Sequence, residues 1–132
     1  MSYCFSTNLT TTNFEEAIVS LTEGLKAEGF GIITTIDMRS TFKNKLDVEF
    51  RNYTILGACH PNSAYKAVSA EPNIGVFLPC NVIVQEHQSG IIEVSAVDPA
   101  ASMGSVQNSE LEEVAREIRA KLQHFIGTVG KV

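Results

Sequence analysis

Two short segments carry side chains whose chemistry could support a functional site. The segment LGACHP contains Cys59 and His60, and the segment FLPCNV contains Cys80 and Asn81. A cysteine can act as a nucleophile, a metal ligand or a small buried side chain, and a histidine can transfer protons or bind a metal. The candidate ligand-binding residues are therefore Cys59, His60, Cys80 and Asn81, while catalytic residues remain unassigned.

Cys59 stands at the end of a predicted strand, two residues before a predicted helix start at Pro61. The free N–H groups and the dipole at a helix N-terminus stabilise a thiolate. A protonated His60 would add a positive charge. The alternative is that Cys59 is simply a small apolar residue beside Ala58, because free cysteine is often buried. The sequence leaves both interpretations open.

Cys80 and Asn81 lie in an otherwise apolar stretch, directly after Pro79. Proline cannot donate to a strand ladder, so Pro79 indicates a bulge, an edge or a break. An amide without partners in an apolar environment costs on the order of 1–3 kcal/mol. Asn81 therefore either ties down a loop or faces a polar pocket.

Whether the two thiols meet depends on the direction of their strands. A crossover connection makes the strands parallel and brings Cys59 near Cys80. Antiparallel strands place Cys80 some five residues further on, roughly 16 Å along the strand. The chain has no CxxC or HxxxH pattern, and adjacent residues such as Cys59 and His60 point to opposite faces of a strand. We predict no metal and no cofactor.

Composition excludes several classes of protein. The chain has 132 residues, which suits a single domain over 1–132, and its net charge of −5 argues against nucleic-acid binding. The N-terminus lacks the basic and apolar regions of a signal peptide. No apolar run approaches the ~20 residues of a membrane helix. We expect a cytoplasmic protein with free thiols and no membrane association.

The apolar periodicity predicts strands over 2–9, 30–38, 48–59, 74–86 and 91–98. Long amphipathic helices are predicted over 11–29 and 110–126, with a short helix over 61–71. Thr12 with Glu15 and Ser109 with Glu112 fit helix caps, and Gly29 fits a left-handed C-terminal position. Residues 39–47 are predicted to contain at most a short helical turn, and residues 99–108 a loop.

This order of elements predicts an α+β fold, a two-layer sandwich in which two long helices cover one face of a mainly antiparallel sheet. Several predicted strands carry apolar residues on both sides, including Ile32 with Ile33, and Ile91 with Ile92. Such strands would leave the second face of the sheet apolar and exposed. A homodimer is the simplest way to cover that face.

The paired motifs resemble those of the bacterial and archaeal family called domain of unknown function 302. The pattern is similar to Gly-Ala-Cys-Asn-Pro, then Ala-x-Glu-Pro, then Leu-Pro-Cys-Asn-Val, and it is matched here from Gly57 to Val82. His60 departs from it, since the family more often has asparagine there. The resemblance implies a TBP-like β-α-β4-α fold and a small homodimer, and it brings no established activity. By analogy of fold, TBP-like relatives that bind apolar ligands between sheet and long helix suggest a binding role.

We predict a homodimeric module that binds a small molecule near Cys59 and Cys80. One alternative is a thiol-dependent enzyme or redox protein that uses Cys59. Another is a purely structural or protein-interaction dimer. The sequence leaves open whether the protein is an enzyme.

Overall fold

Five strands form one sheet in the order β1-β5-β4-β3-β2, and every neighbouring pair is antiparallel. The computed structural model describes residues 2–129, so residue 1 and residues 130–132 of the predicted domain lie outside the described part. The strands are β1 Cys4–Asn8, β2 Gly31–Asp37, β3 Tyr53–Cys59, β4 Cys80–Glu86 and β5 Ile92–Val97.

Five α-helices accompany the sheet within residues 2–129. They are α1 Phe14–Ala27, α2 Met38–Leu46, α3 Pro61–Ala70, α4 Pro99–Met103 and α5 Ser109–Val129, with a 3-10 helix over Pro72–Phe77. The long helices α1 and α5 pack against each other and against the sheet. The predicted α+β fold is therefore confirmed. No helix within residues 2–129 is long and apolar enough to cross a membrane.

The hydrophobic core lies between the sheet and helices α1 and α5. All seven residues of the predicted α5 stripe are buried, and so are three α1 residues at helical spacing. The stripe consists of Leu111, Val114, Ala115, Ile118, Leu122, Phe125 and Ile126. The 3.6-residue period placed these side chains on one face, and burial of that face is what holds the helix on the sheet.

Two helix caps differ from the prediction. The N-cap of α1 is Asn13, whose Oδ1 accepts from the N–H of Glu16 at 3.0 Å. The N-cap of α5 is Asn108, whose Oδ1 accepts from the N–H groups of the first helical turn. Its Nδ2 also donates to the carbonyl of Ala70 at 2.9 Å. Asparagine caps a helix as well as serine or threonine does. The contact of Asn108 with the end of α3 joins residues far apart in sequence, so local sequence patterns do not predict it.

Two segments expected to be mostly irregular are helical. Asp37 caps α2 by accepting from the N–H of Ser40, and these bonds to Ser40 lower the pKa of the Asp37 carboxyl. Asp98 caps α4 by accepting from the N–H of Ala100 at 3.0 Å. Both helices are shorter than ten residues. Capping residues and tertiary contacts therefore determine whether they form, and apolar periodicity over so few residues does not predict them.

Two strand boundaries are also corrected. Strand β3 begins at Tyr53 rather than at residue 48, and β4 begins at Cys80 rather than at residue 74. Pro72 starts a 3-10 helix that occupies the apolar run before β4. Proline suits a first helical turn, and a short apolar run cannot by itself distinguish a strand from a buried helical turn.

The second face of the sheet is mixed rather than apolar. Ser6 and Ser95 hydrogen-bond across β1 and β5 at 2.7 Å, and the exposed Asn81 lies on the same face. Apolar side chains remain there, such as Ile36, which is 44% exposed. Ile36, Ile55 and Ile83 are register partners across β2, β3 and β4 on this face, so the predicted apolar residues are present there beside polar ones. The homodimer stays a prediction.

Candidate functional site

The two cysteine segments meet at one end of the sheet. Ala58 on β3 lies directly opposite Cys80 on β4, so Cys59 is next to Cys80 although the strands are antiparallel. The expected five-residue offset for antiparallel strands is wrong, because residues 74–79 are not part of β4. All three cysteines are free thiols.

A cavity of about 300 Å³ lies where these strand ends face helices α3, α4 and α5. We call it the strand-end cavity. Ala58 and Cys80 line it from the sheet, Ala67 from α3, Met103 from α4 and Ala115 from α5. Its wall is almost entirely apolar and carries no Lys, Arg, Asp or Glu side chain.

Small side chains leave this space unfilled. Four alanines from the sheet and two helices face the cavity, namely Ala58, Ala64, Ala67 and Ala115. Each of these side chains stops at Cβ, so it fills less space than a leucine or isoleucine would. Protein interiors are otherwise close-packed. The cavity is thus a consequence of alanine at matching positions on elements far apart in sequence.

Cys80 is a buried thiol in the cavity wall. It is 7% exposed. Burial, with the neighbouring Cys59 thiol, raises the pKa of Cys80 to about 11. The side chain is therefore a neutral thiol at physiological pH. It offers the cavity a polarizable surface rather than an anionic nucleophile.

Cys59 and His60 also line the cavity. His60 is the residue before α3, and its side chain does not cap the helix. The ring meets the Phe30 ring edge-on with centroids 5.4 Å apart, and it covers Gly29, where a Cβ would lie 3.0 Å from Nε2. The His60 Nδ1 atom is buried without a hydrogen-bond partner in the described structure.

Gly29 confirms the predicted left-handed position after α1, with φ of +91°. Its N–H and that of Phe30 donate to carbonyls in the last turn of α1. The turn brings Phe30 to the cavity wall beside His60.

Ser63 is a cavity residue that the sequence analysis missed. It is 4% exposed, lines the cavity, and has no hydrogen-bond partner for its hydroxyl among residues 2–129. It lies one helical turn before Ala67, on the same face of α3. In the sequence, the helix start at Pro61 and the four-residue spacing of Ser63 and Ala67 could have predicted that these two side chains share a face.

Gly57 explains how the two motif segments approach each other. A Cβ at this position would overlap Oγ1 of Thr34 and lie 2.8 Å from Cγ of Pro79. Gly57 is therefore a packing residue. Pro79 follows a cis peptide bond and marks the break before β4. The bulge is found instead on β2, where the register shifts between Ile32 and Thr34.

Asn81 is not brought into the cavity. It is exposed, and it lies opposite Gly57 on the face of the sheet away from Cys80, because successive side chains alternate. Of the four predicted site residues, the structure brings together Cys59, His60 and Cys80.

Asp98 is a second residue whose role the sequence analysis missed, because acids near strand ends are commonly solvated. Asp98 is buried; it caps α4 and forms an ion pair with Nε of Arg119 at 3.2 Å. Arg119 in turn lies over the Phe5 ring at 5.2 Å. These contacts hold α4, and hence Met103 of the cavity wall, against α5.

The remaining histidines lie in unrelated contacts. His87 contacts Glu93 at 3.0 Å in the β4–β5 hairpin, and His124 contacts Glu28 at 2.7 Å between α5 and α1. Within residues 2–129, no three His, Cys, Asp or Glu side chains converge as a set of metal ligands.

Comparison with known proteins places the fold and the family. No curated protein matches the chain. A crystal structure of the uncharacterized conserved protein DUF302 from Bacillus stearothermophilus is 25% identical to it, with a TM-score of 0.88 over 98% of this chain and 99% of that one. The family defined as "Domain of unknown function DUF302" matches residues 5–129. The chain therefore belongs to the DUF302 family.

Proposed function

We propose that this protein is a binding module for a small, largely apolar molecule, and that the strand-end cavity is its site. The observation that carries the proposal is the cavity itself, with Cys59, His60 and Cys80 in its wall. Its volume of about 300 Å³ is at the lower end of the range typical of ligand pockets.

The apolar wall supports a ligand bound mainly by the hydrophobic effect. An unfilled void deprives the surrounding side chains of dispersion contacts and so lowers stability. The cavity is partly open to solvent, so a small apolar molecule could enter it and would displace water from its apolar wall. A ligand would restore the missing contacts with Ala67, Met103 and Ile118, which face the cavity from three different helices.

The thiols act as cavity wall in this proposal. The raised pKa of Cys80 keeps it protonated at neutral pH, so it would be a poor nucleophile there. We propose no catalytic role for Cys59, since no contact in the described structure gives it an adjacent base or a substrate-positioning group.

Binding of ethylbenzene tests the proposal directly. We expect the melting temperature of the wild-type protein to rise with ethylbenzene concentration, because a ligand that binds only the folded state stabilises it. The variant Ala67→Leu fills the cavity and should abolish this rise while changing stability by less than about 1.5 kcal/mol, since the new side chain occupies existing space.

Ala17→Leu is the matched control. Ala17 is fully buried on α1 and lines no part of the strand-end cavity. Overpacking there should destabilise the fold by about 1–3 kcal/mol without removing ethylbenzene binding. A wild-type protein whose melting temperature is insensitive to ethylbenzene would refute the binding function, and so would an Ala67→Leu variant that binds it normally.

The homodimer is also part of the proposal. Ile33 and Ile36 on the edge strand β2 are 61% and 44% exposed, and an edge strand offers unpaired backbone groups. Light scattering on the protein as it elutes from a size-exclusion column should give twice the mass of one chain. The Ile36→Lys variant should give a mass closer to that of one chain. A wild-type protein of single chain mass at micromolar concentration would contradict the dimer.

A further inference from the structure

The polar atoms at one end of the strand-end cavity indicate which chemical group a ligand would place there. Ser63 is 4% exposed as a residue, and its hydroxyl has no hydrogen-bond partner among residues 2–129. Its side chain lines a cavity that is otherwise apolar. The Ser63 oxygen is not enclosed by protein, so it is accessible from the cavity and can bond a polar ligand atom placed beside it.

The surroundings of Ser63 favour hydrogen-bond acceptors. Ser63 is the third residue of α3, which begins at Pro61. The first N–H groups of a helix have no carbonyl partner within it, and only Ala64 donates back, to the carbonyl of His60. The N–H group of Ser63 therefore adds a donor at this helix end, whereas Asn62 does not line the cavity. A ligand that meets this end should present an accepting oxygen.

The wall also indicates the charge of that oxygen. The cavity contains no Lys or Arg side chain, and His60 in its wall can pair with an anion only when the ring is protonated. Moving a carboxylate from water into a site without a cation carries a large desolvation penalty. The helix dipole offsets only a small part of that penalty. A neutral carbonyl loses much less on desolvation and still accepts from the Ser63 hydroxyl.

We propose that the ligand of this cavity is a small, largely apolar carbonyl compound, such as a ketone, aldehyde or ester, whose oxygen accepts a hydrogen bond from Ser63 Oγ at the N-terminus of α3. The inference rests on the proposed function and names its ligand class. The apolar body of the ligand lies toward α5, against Ala115 and Ile118.

The test compares acetophenone with ethylbenzene, which has the same ring and nearly the same side group without the oxygen. Dissociation constants are measured by titration with NMR detection for the wild-type protein and for Ser63→Ala. We expect Ser63→Ala to weaken acetophenone binding about two- to tenfold, the effect of one hydrogen bond. Ethylbenzene binding should change less than twofold.

Ser95→Ala is the control, because Ser95 is also buried but bonds Ser6 on the other face of the sheet. It should leave both dissociation constants unchanged. Benzoate should bind the wild-type protein more weakly than acetophenone at neutral pH.

Three results would overturn the inference while leaving the proposed function intact. They are acetophenone affinity that is insensitive to Ser63→Ala, acetophenone that fails to bind although ethylbenzene binds, and benzoate that binds more tightly than acetophenone. Absence of ethylbenzene binding would refute the binding function itself.

Discussion

Ala58 and Cys80 occupy directly opposite positions on the adjacent antiparallel strands β3 and β4. Both side chains face the core and line the strand-end cavity. Ala58 and Cys80 are 22 positions apart in sequence, and their pairing brings the two motif segments to one wall of a single cavity. It also places Cys59 beside the thiol of Cys80, which contributes to the raised pKa of Cys80.

Gly57→Ala should destabilise the fold by about 1–3 kcal/mol, because the new Cβ overlaps Thr34 and Pro79 and the strands must move apart. Urea denaturation measures the change. The control is Gly127→Ala, where a Cβ meets nothing within 4 Å on the exposed side of α5. That substitution should stabilise the helix by roughly 0.5–1 kcal/mol. A Gly57→Ala variant as stable as the wild type would show that the two strands have room to adjust.

Asp98→Ala should lower the free energy of unfolding by about 1–3 kcal/mol, since it removes the cap of α4 and leaves Arg119, which is 40% exposed, without its partner. Asp98→Asn keeps the capping oxygen and should lose less. Glu49→Ala, at an exposed ion pair with Lys43, is the control and should leave stability unchanged within error. Equal effects of Asp98→Ala and Glu49→Ala would contradict the structural role of Asp98.

Stability should fall in alkali through Cys80. Its folded-state pKa of about 11 lies above the ordinary value of 9.0, so the protonated thiol stabilises the fold fully below pH 9, and this contribution is lost as the pH rises toward 11. Between pH 8 and pH 11, the wild type should lose on the order of 2 kcal/mol more than Cys80→Ala.

Urea midpoints at each pH measure this difference. Val82→Ala is the matched control, because Val82 is buried on the same strand and face but does not titrate. It should keep the wild-type dependence on pH. If stability falls with pH as steeply in Cys80→Ala as in the wild type, other groups cause the loss of stability in alkali.

Alkylation should distinguish the two cysteines of the cavity. At pH 7.5 we expect Cys80 to react with iodoacetamide at least about 100-fold more slowly than free cysteine, since its pKa of about 11 leaves little thiolate and its side chain is buried. Cys59 is partly exposed and should react before Cys80. Mass spectrometry of digested protein gives both rates. Labelling of Cys80 as fast as Cys59 would contradict the assignment of Cys80 as a buried neutral thiol. Labelling of Cys59 well above the rate of free cysteine would support the alternative of a thiol-dependent enzyme.

Much of the fold was predictable from local patterns. The α5 stripe from Leu111 to Ile126 and the alternation in β5 each repeat with the period of their element over several turns or residues, and burial follows that period. Gly29 was predictable for a different reason, since a left-handed φ at a helix end favours glycine. The capping residues of α4 and α5 were not, because Asp98 and Asn108 also bond partners on other elements.

The candidate site divides in the same way. The sequence by itself determined that Cys59, His60 and Cys80 lie in unusual segments, because residue type and proline spacing are local properties. Only the tertiary structure decided that these three share a cavity with Ser63 while Asn81 faces away. The register of β3 against β4 sets that grouping, and a cavity depends on which small side chains from distant elements face one another.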